Sequence, residues 1–511
     1  MKTIRKGSIT IWLSLVLCVL LALIFACLQS ARISAARGYI SVCVEESLFS
    51  EFARYDRILY EQYGLLAVDA GFGTAGTDLT AVAGEIEDAA KTLISTQQDL
   101  FRIGLKETDI TGYELATDSN AAPLKTQIKE IMTAKLGIDG VSRIIGMVNA
   151  NAPVIEQQER EGTVDPESIR DAYAQQKEQA EARENEAAMQ AEARENEAAV
   201  QTEAVQSDGG DIDNTEEHTD AGPVEVPEDF ENPLDNIESL IRMGIYNTIL
   251  PDPLGVSGTA VDKSTLARSR KFEEGMGVLP EEADGAAEHL MIAAYINDFF
   301  PDFLSCAGSD NKGLKYQAEF AIAGKDSDAA NLKSVLNRIL MIRMGLNYIY
   351  LNSMDPAKKA EAETCGLIIA SLLLSPEAAE PISQIVLLAW AFGESMMDLK
   401  TMLAGGKEPL IKDESTWQLT LTQLASFSSE TPTTGRTGLS YDDYLTILLA
   451  IQSESELTRS LLDLLEYNRR IIGDDPAFQI DACITAIETE TLLMIDGNDY
   501  SITRGYGYES R

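Results

Sequence analysis

The chain is 511 residues long, 45% hydrophobic, and carries 82 acidic against 41 basic side chains, a formal net charge of −41. That length leaves room for roughly two to four domains with real cores, and a charge of that sign and size excludes a nucleic-acid-binding role, which needs Lys and Arg to meet phosphates. The six cysteines include no C-x-x-C pair, so neither a zinc site nor a disulfide framework is indicated.

The first predicted element is a membrane span over residues 9–31. Between Gly7 and Ala31 there is no charged residue, and Ile9 to Leu28 is apolar apart from Thr10 and Ser14. At about 1.5 Å of rise per residue, a run of this length covers roughly 30 Å, the thickness of a bilayer's hydrocarbon core. It also exceeds the apolar region of a secretory signal, about 7–15 residues. Lys2, Arg5 and Lys6 precede it and Arg32 and Arg37 follow, so the tail at 1–8 is expected inside the cell and the bulk of the chain outside. Three processing sites remain open. Ser34-Ala35-Ala36 has a small-x-small pattern, Ala26-Cys27 has a lipoprotein-like arrangement, and Gly7 precedes the helix as in a prepilin, although Trp12 stands where that peptidase expects Glu.

Val44, Leu48, Phe52, Tyr55, Leu59 and Tyr63 recur at spacings of three and four, so a stalk helix is predicted over 32–64, ending at Gly64. A first exported α+β domain is expected at 65–150, with a helix over 79–105, a Thr-rich strand over 108–117 and a helix over 124–148. Residues 151–235 read as an acidic linker. Glu156 to Asp235 holds 25 acidic and 5 basic residues, and AEARENEAAMQ at Ala180–Gln190 repeats as AEARENEAAVQ at Ala191–Gln201. The repeat offers only Ala with one Met or Val, too little apolar surface for a coiled-coil seam, so a solvated helix is expected there and disorder over 208–233.

A second, larger domain is expected at 236–511. Leu314, Tyr316, Ala318, Phe320 and Ile322 alternate, which predicts a half-buried strand over 313–324. Helices are predicted over 328–351, 356–374 and, as a buried core helix, 382–392. Ser440 and Asp443 form a capping-box-like start to the next helix, 457–472 is amphipathic, and the tail around Cys483 and Tyr500 reads as strands. The fold class is therefore α+β, mostly helical. Cys43, Cys306, Cys365 and Cys483 are expected as buried thiols.

Chemistry-bearing motifs are few. There are two histidines, His218 and His289, and no H-E-x-x-H. Gly324-Lys325 and Gly405-Gly406-Lys407 are not phosphate loops, since Glu319 and Thr401 occupy the positions of the first glycine. The run from Asp208 to Asp213 lacks the Gly and Glu of an EF-hand loop. The remaining candidate is Glu394 with Asp398, four residues apart on one helix face beside Trp390 and Phe392, a spacing that suits acid–base work by paired carboxylates. The alternative is a structural pair neutralised by Arg338 or Arg343. The structural reading is adopted, so no catalytic, cofactor-binding or metal-ligating residue and no cofactor are expected.

The head, Lys6-Gly7-Ser8-Ile9-Thr10 running to Gln29-Ser30-Ala31-Arg32, resembles the N-termini of TadE/TadG-like proteins of the Tad (Flp) pilus system. The chain also resembles an uncharacterised family of Gram-positive anaerobes that joins such an anchor to a large domain of unknown function. That resemblance is carried by Tyr55-Asp56-Arg57, Tyr63-Gly64-Leu65, Ala323-Gly324-Lys325, Asn331-Leu332-Lys333, Ala389-Trp390-Ala391, Gly405-Gly406-Lys407, Gly438-Leu439-Ser440-Tyr441 and Tyr506-Gly507-Tyr508. It implies location and genomic company rather than a reaction. The expected function is a non-enzymatic envelope component, pseudopilin-like or a scaffold of a Tad-type pilus or related secretion machine, with membrane lipid and other envelope proteins as partners through the stalk. An anchored adhesin or ligand-binding module is the second reading, and an exported hydrolase using Glu394 and Asp398 the third.

Overall fold

The computed structural model describes residues 7–96, 101–161, 165–202, 226–228, 230–250, 252–277, 285–306, 312–427 and 437–508. It is mostly helical, with one small antiparallel sheet. Lys2, Arg5, Lys6, His218 and most of the stretch expected to be disordered lie outside the described residues.

Helix α1 (Gly7–Phe52) is a single helix of 46 residues, about 69 Å long. Its apolar first half is exposed all round, and none of its membrane-length window is buried within the chain. In its second half Ala36, Ile40, Val44 and Leu48 form a fully buried stripe at spacing four. The stalk predicted over 32–64 is therefore no free-standing rod, because this stripe packs on the sheet. The helix also breaks sooner than expected. A separate α2 (Arg57–Tyr63) starts where the Asp56 carboxylate accepts the Leu59 N–H at 2.8 Å, and it ends at the expected Gly64, whose φ of 73° makes it a left-handed cap.

The sheet is built from β1 (Val68–Asp69), β2 (Ile103–Leu115), β3 (Cys483–Ile495) and β4 (Asn498–Gly507). Strand β3 is central. It pairs antiparallel with β2 along one side, and with β4 and the short β1 along the other. Asp496 and Gly497, with φ of 52° and 83°, form the two-residue turn between β3 and β4, a geometry that matches the twist of a hairpin. One face of the sheet, with Ile487, Leu493 and Ile495, is covered by α1 and by α3 (Leu79–Ser95). The helix expected over 79–105 thus stops at Ser95, and β2 starts earlier than the predicted Thr-rich strand. The tail strands are present, but they complete a sheet begun near residue 103, so the division expected at 150 and 236 is crossed by hydrogen bonds.

Helix α4 (Asp118–Glu161) opens on three left-handed residues, Ser119, Asn120 and Ala121, and is broken at Gly137. Its two parts enter different cores: Leu124 and Ile128 pack with the last helices of the chain, Val148 and Ile155 with the large helical core. Helix α5 (Pro166–Thr202) corrects the linker assignment. Ile169, Tyr173 and Ala180 are buried, and the first two join the large core with Leu234 and Ile237 of α6 (Pro233–Met243). Only beyond Ala180 does the repeat become the solvated helix that was expected, exposed through Arg194.

After α7 (Ile245–Ile249) and α8 (Gly285–Phe299), the segment predicted as a strand over 313–324 forms α9 (Gln317–Ala323) instead. Gln317, Ala318, Glu319, Phe320 and Ala321 are all buried, so this helix is surrounded on every side and an alternating pattern carries no information about its period. Helices α10 (Asp328–Ile349), α11 (Pro356–Leu372) and α12 (Ala379–Leu403) form the centre of the large core. Asp355 caps α11 by accepting the Lys358 N–H, and the core helix expected over 382–392 continues eleven residues further, to Leu403. The chain then adds α13 (Leu421–Ala425), α14 (Tyr441–Ala450) with its capping box from Ser440 and Asp443, and α15 (Glu454–Gly473). All six cysteines are free thiols. Cys43, Cys365 and Cys483 are buried, whereas Cys306 is partly exposed.

Candidate functional site

Glu394 and Asp398 sit on α12, one turn apart, with Trp390 one turn before them. All three lie at the centre of the helical core, and neither carboxylate has any solvent-accessible surface. The pair does not emerge at the edge of the core. Burying two negative charges this deeply is tolerable only when cations and N–H donors surround them.

Those partners come from α10 and from the loop between α12 and α13. Arg343 directs Nε and Nη2 at Oδ2 of Asp398, at 2.9 and 2.6 Å, and Asn347 adds a third donor at 3.0 Å. The remaining guanidinium nitrogen, Nη1, donates to the Pro409 and Leu410 carbonyls at 2.6 and 2.9 Å. Lys412 reaches in from the loop, with Nζ 2.5 Å from Oδ1 of Asp398 and in direct contact with Oε1 of Glu394. Glu394 also accepts the backbone N–H groups of Gln418 and Leu419 at 2.9 and 2.7 Å. A third buried carboxylate, Glu408, accepts from the Gln418 side chain at 2.8 Å and lies 3.8 Å from Lys412.

Electrostatics divides the pair. Burial pushes the Asp398 carboxyl up, but Arg343 and Lys412 outweigh it and hold the group below the ordinary carboxylate range. Burial dominates at Glu394 and pushes it up, against the opposing pull of Lys412. Two cations and three carboxylates thus share one buried volume, roofed by aromatic rings. Lys412 lies 5.8 Å from the centre of the Trp417 ring, which stacks on Tyr350 and meets Trp390 edge-on. Trp390 and Trp417 both donate their indole N–H to the Leu419 carbonyl. The arrangement fastens the loop to α10 and α12 through charge and hydrogen bonds.

Of the two arginines offered by the sequence, Arg343 is the partner. Arg338 instead faces Glu159 of α4. Lys412 and Glu408 carry as much of the network and were not singled out, because nothing in local spacing ties a loop lysine to a helix 14–18 residues upstream. A buried carboxylate pair nevertheless demands a net cationic partner, and that demand was the available signal. Elsewhere His289 hydrogen-bonds the Ala450 carbonyl at 2.8 Å. Lys325 follows the left-handed cap Gly324 and is held by Asn331, which accepts its backbone N–H.

A second network escaped the sequence entirely. Arg270 pairs with Glu466 and Asp481, Arg268 with Asp463, and Arg469 with Asp56, so α15 is bound to residues about 200 and 400 positions away. Glu319 on α9 is fully buried. It accepts the Phe303 N–H at 2.9 Å and the Tyr441 hydroxyl at 2.8 Å, and burial pushes its carboxyl up to about 8. Among the described residues, no cluster of three or more His, Cys, Asp or Glu is arranged to hold a metal ion. A recess of about 620 Å³ lies between α6, α11 and α13, lined by Phe230, Pro233, Thr364, Cys365, Ile368 and Leu421.

No curated protein and no solved structure matches the chain. One protein family does, over residues 224–494, a stretch that contains the whole Arg343–Asp398–Lys412–Glu394 network. The chain belongs to this family of unknown function, DUF5702.

Proposed function

We propose that the protein is a single-pass envelope component, anchored by the first half of α1 with its tail inside the cell and its bulk outside. In this reading it is a non-enzymatic scaffold or pseudopilin-like subunit of a Tad-type pilus or related secretion machine. The observation that carries the proposal is the continuity of α1. The apolar, fully exposed half runs without a break into the half whose Ala36, Ile40, Val44 and Leu48 are embedded against the sheet. Movement or packing of the anchor in the membrane is then transmitted directly to the folded body, which suits an assembly subunit. The charge order around the span and the resemblance of the head to TadE/TadG-like proteins support the orientation and the machine.

Protease added to intact protoplasts tests the topology, and digestion of the residues after α1 is the expected result. Survival of the body until lysis would overturn the orientation. Deleting the gene tests the role: pilus or secretion-machine assembly should fail and be restored by a Glu394→Gln chain. A hydrolytic activity abolished by that same substitution, in a protein still folded, would establish an enzyme instead. The recess beside Cys365 favours a second reading, a ligand-binding module, since its volume falls in the range of small-molecule sites.

A further inference from the structure

Among the described residues strand β4 is a free edge of the sheet, and its direction is fixed relative to α1. Arg37 stacks on Tyr500 with 4.3 Å to the ring centre, Glu45 meets Arg504 at 2.7 Å, and Phe52 packs on Tyr506 and Tyr508 with ring centres 5.0 Å apart. Helix and strand therefore run side by side in the same direction, about 22 Å of helix along about 26 Å of strand. In an anchored chain β4 points away from the membrane.

The hairpin register determines which backbone groups are free. With Ile495 and Asn498 flanking a two-residue turn, Asn498, Tyr500, Ile502, Arg504 and Tyr506 bond to β3, while Asp499, Ser501, Thr503 and Gly505 turn their N–H and C=O outward. Among the described residues no other strand pairs with β4, and none of those four N–H groups has a protein acceptor. The Thr503 carbonyl receives only the guanidinium of neighbouring Arg504. Beside this edge Phe49 is 55% exposed, leaning edge-on against Tyr506, and Val42, seven residues earlier on the same side of the helix, is 53% exposed. Glu488 and Glu490 supply negative charge on the open face of the sheet, where Asp499 is paired with Lys106, while on the helix side Glu45 is taken up by Arg504.

From this geometry we infer that β4 is a docking edge, extended by a strand of a different polypeptide with alternating apolar and basic side chains. The apolar side lies toward Phe49 and Tyr506, and the basic side meets the acidic open face. A second copy of this chain does not fit, an exclusion that rests on the anchored reading above. Antiparallel pairing of two β4 strands would send the two anchors in opposite directions. Parallel pairing about a two-fold along the membrane normal sets identical residues opposite each other, whereas a parallel ladder needs the bonding residues of one strand to face the non-bonding residues of the other. The other edge of the sheet, on β2, is closed to a β4 strand. The Glu87 carboxylate takes the Thr108 N–H at 3.2 Å, and Tyr113 exchanges two backbone bonds with Met276 at 2.7 and 2.9 Å.

The test replaces Ser501 with the photo-cross-linker p-benzoylphenylalanine in the full chain and irradiates intact membranes. The expected result is a discrete adduct with another polypeptide, lost when Thr503→Pro removes an outward N–H and retained in Thr503→Ala. Slow amide exchange at Ile502, which bonds to β3, verifies that the hairpin of the proline variant is folded. If it is not, Asp499→Pro removes a different outward N–H and takes its place. An adduct only with itself, no adduct, or an adduct indifferent to proline would overturn the inference. Alkaline extraction of the same membranes reports separately on α1, because release of the chain there refutes the anchor while the cross-link result stands on its own.

Discussion

Arg343 binds Asp398 through a single carboxylate oxygen, Oδ2, and leaves Oδ1 to Lys412. The two cations are thus not interchangeable. Arg343 joins α10 to α12, while Lys412 joins the loop to both α12 carboxylates.

Lys412→Met should therefore leave Glu394 and Asp398 buried with one cation between them. A loss of about 3–5 kcal/mol is expected, as for one partner removed from a buried ion pair. Denaturant unfolding of the chain measures it, and a loss below about 1 kcal/mol would mean that water enters the site and replaces the ammonium.

Glu394→Gln should be milder, on the order of 1–3 kcal/mol, because the amide oxygen still accepts one backbone N–H while the charged bond to Lys412 is lost. The same unfolding measurement checks the ranking. If the glutamine chain were less stable than the methionine chain, the loop would be held chiefly by Glu394 and its two backbone donors.

Glu319 makes stability depend on pH in a defined direction. Its carboxyl is pushed up to about 8, so between the ordinary carboxylate range and about 8 the folded chain binds a proton that the unfolded chain releases. This contribution is complete at low pH and is lost as pH rises through about 8. Glu319→Gln should flatten the decline, seen by comparing denaturant midpoints at about pH 5 and about pH 8. A decline of unchanged slope would assign it to other groups.

The docking of α5 predicts a cost where a solvated linker predicts none. Ile169 is 2% exposed and packs in the large core, so Ile169→Ala should destabilise the body by about 2–5 kcal/mol. Deleting the second repeat, Ala191–Gln201, should leave the unfolding midpoint unchanged, since its described side chains are exposed.

Gly366 on α11 lets that helix approach α12 closely. A Cβ there would lie 2.2 Å from the Ser383 hydroxyl and 2.7 Å from its backbone, so Gly366→Ala must push the helices apart. A loss of about 1–3 kcal/mol is expected, measured by thermal or denaturant unfolding.

Local features of the fold were readable where a residue's role is local. The apolar run of α1, the left-handed Gly64, the caps at Asp355 and Ser440 and the amphipathic α15 all follow from short spacings. The alternation from Leu314 to Ile322 misled because α9 is buried on all sides, so both of its apparent faces are core. The burial of Ile169 and Tyr173 was hidden by their acidic neighbours, whose charge reaches solvent while the apolar stripe turns inward. At the candidate site the carboxylate pair was legible from helix periodicity, and Arg343 was one of two arginines the sequence offered as its partner. Lys412 was not, because a loop residue's direction is set by the tertiary path of the chain.

The central position of β3 governs the order in which the molecule can fold. Strand β2 emerges from the ribosome early, yet its partner follows some 370 residues later, as the contact between Glu114 and Thr485 measures. Until β3 arrives, the buried faces of α1, α3 and β2 have no sheet to complete them. So large a sequence separation slows pairing and prolongs the exposure of an unpaired strand during synthesis. A ribosome stalled before β3 would yield a chain whose helical core can assemble while its sheet layer stays open, a ready target for proteolysis and for quality control.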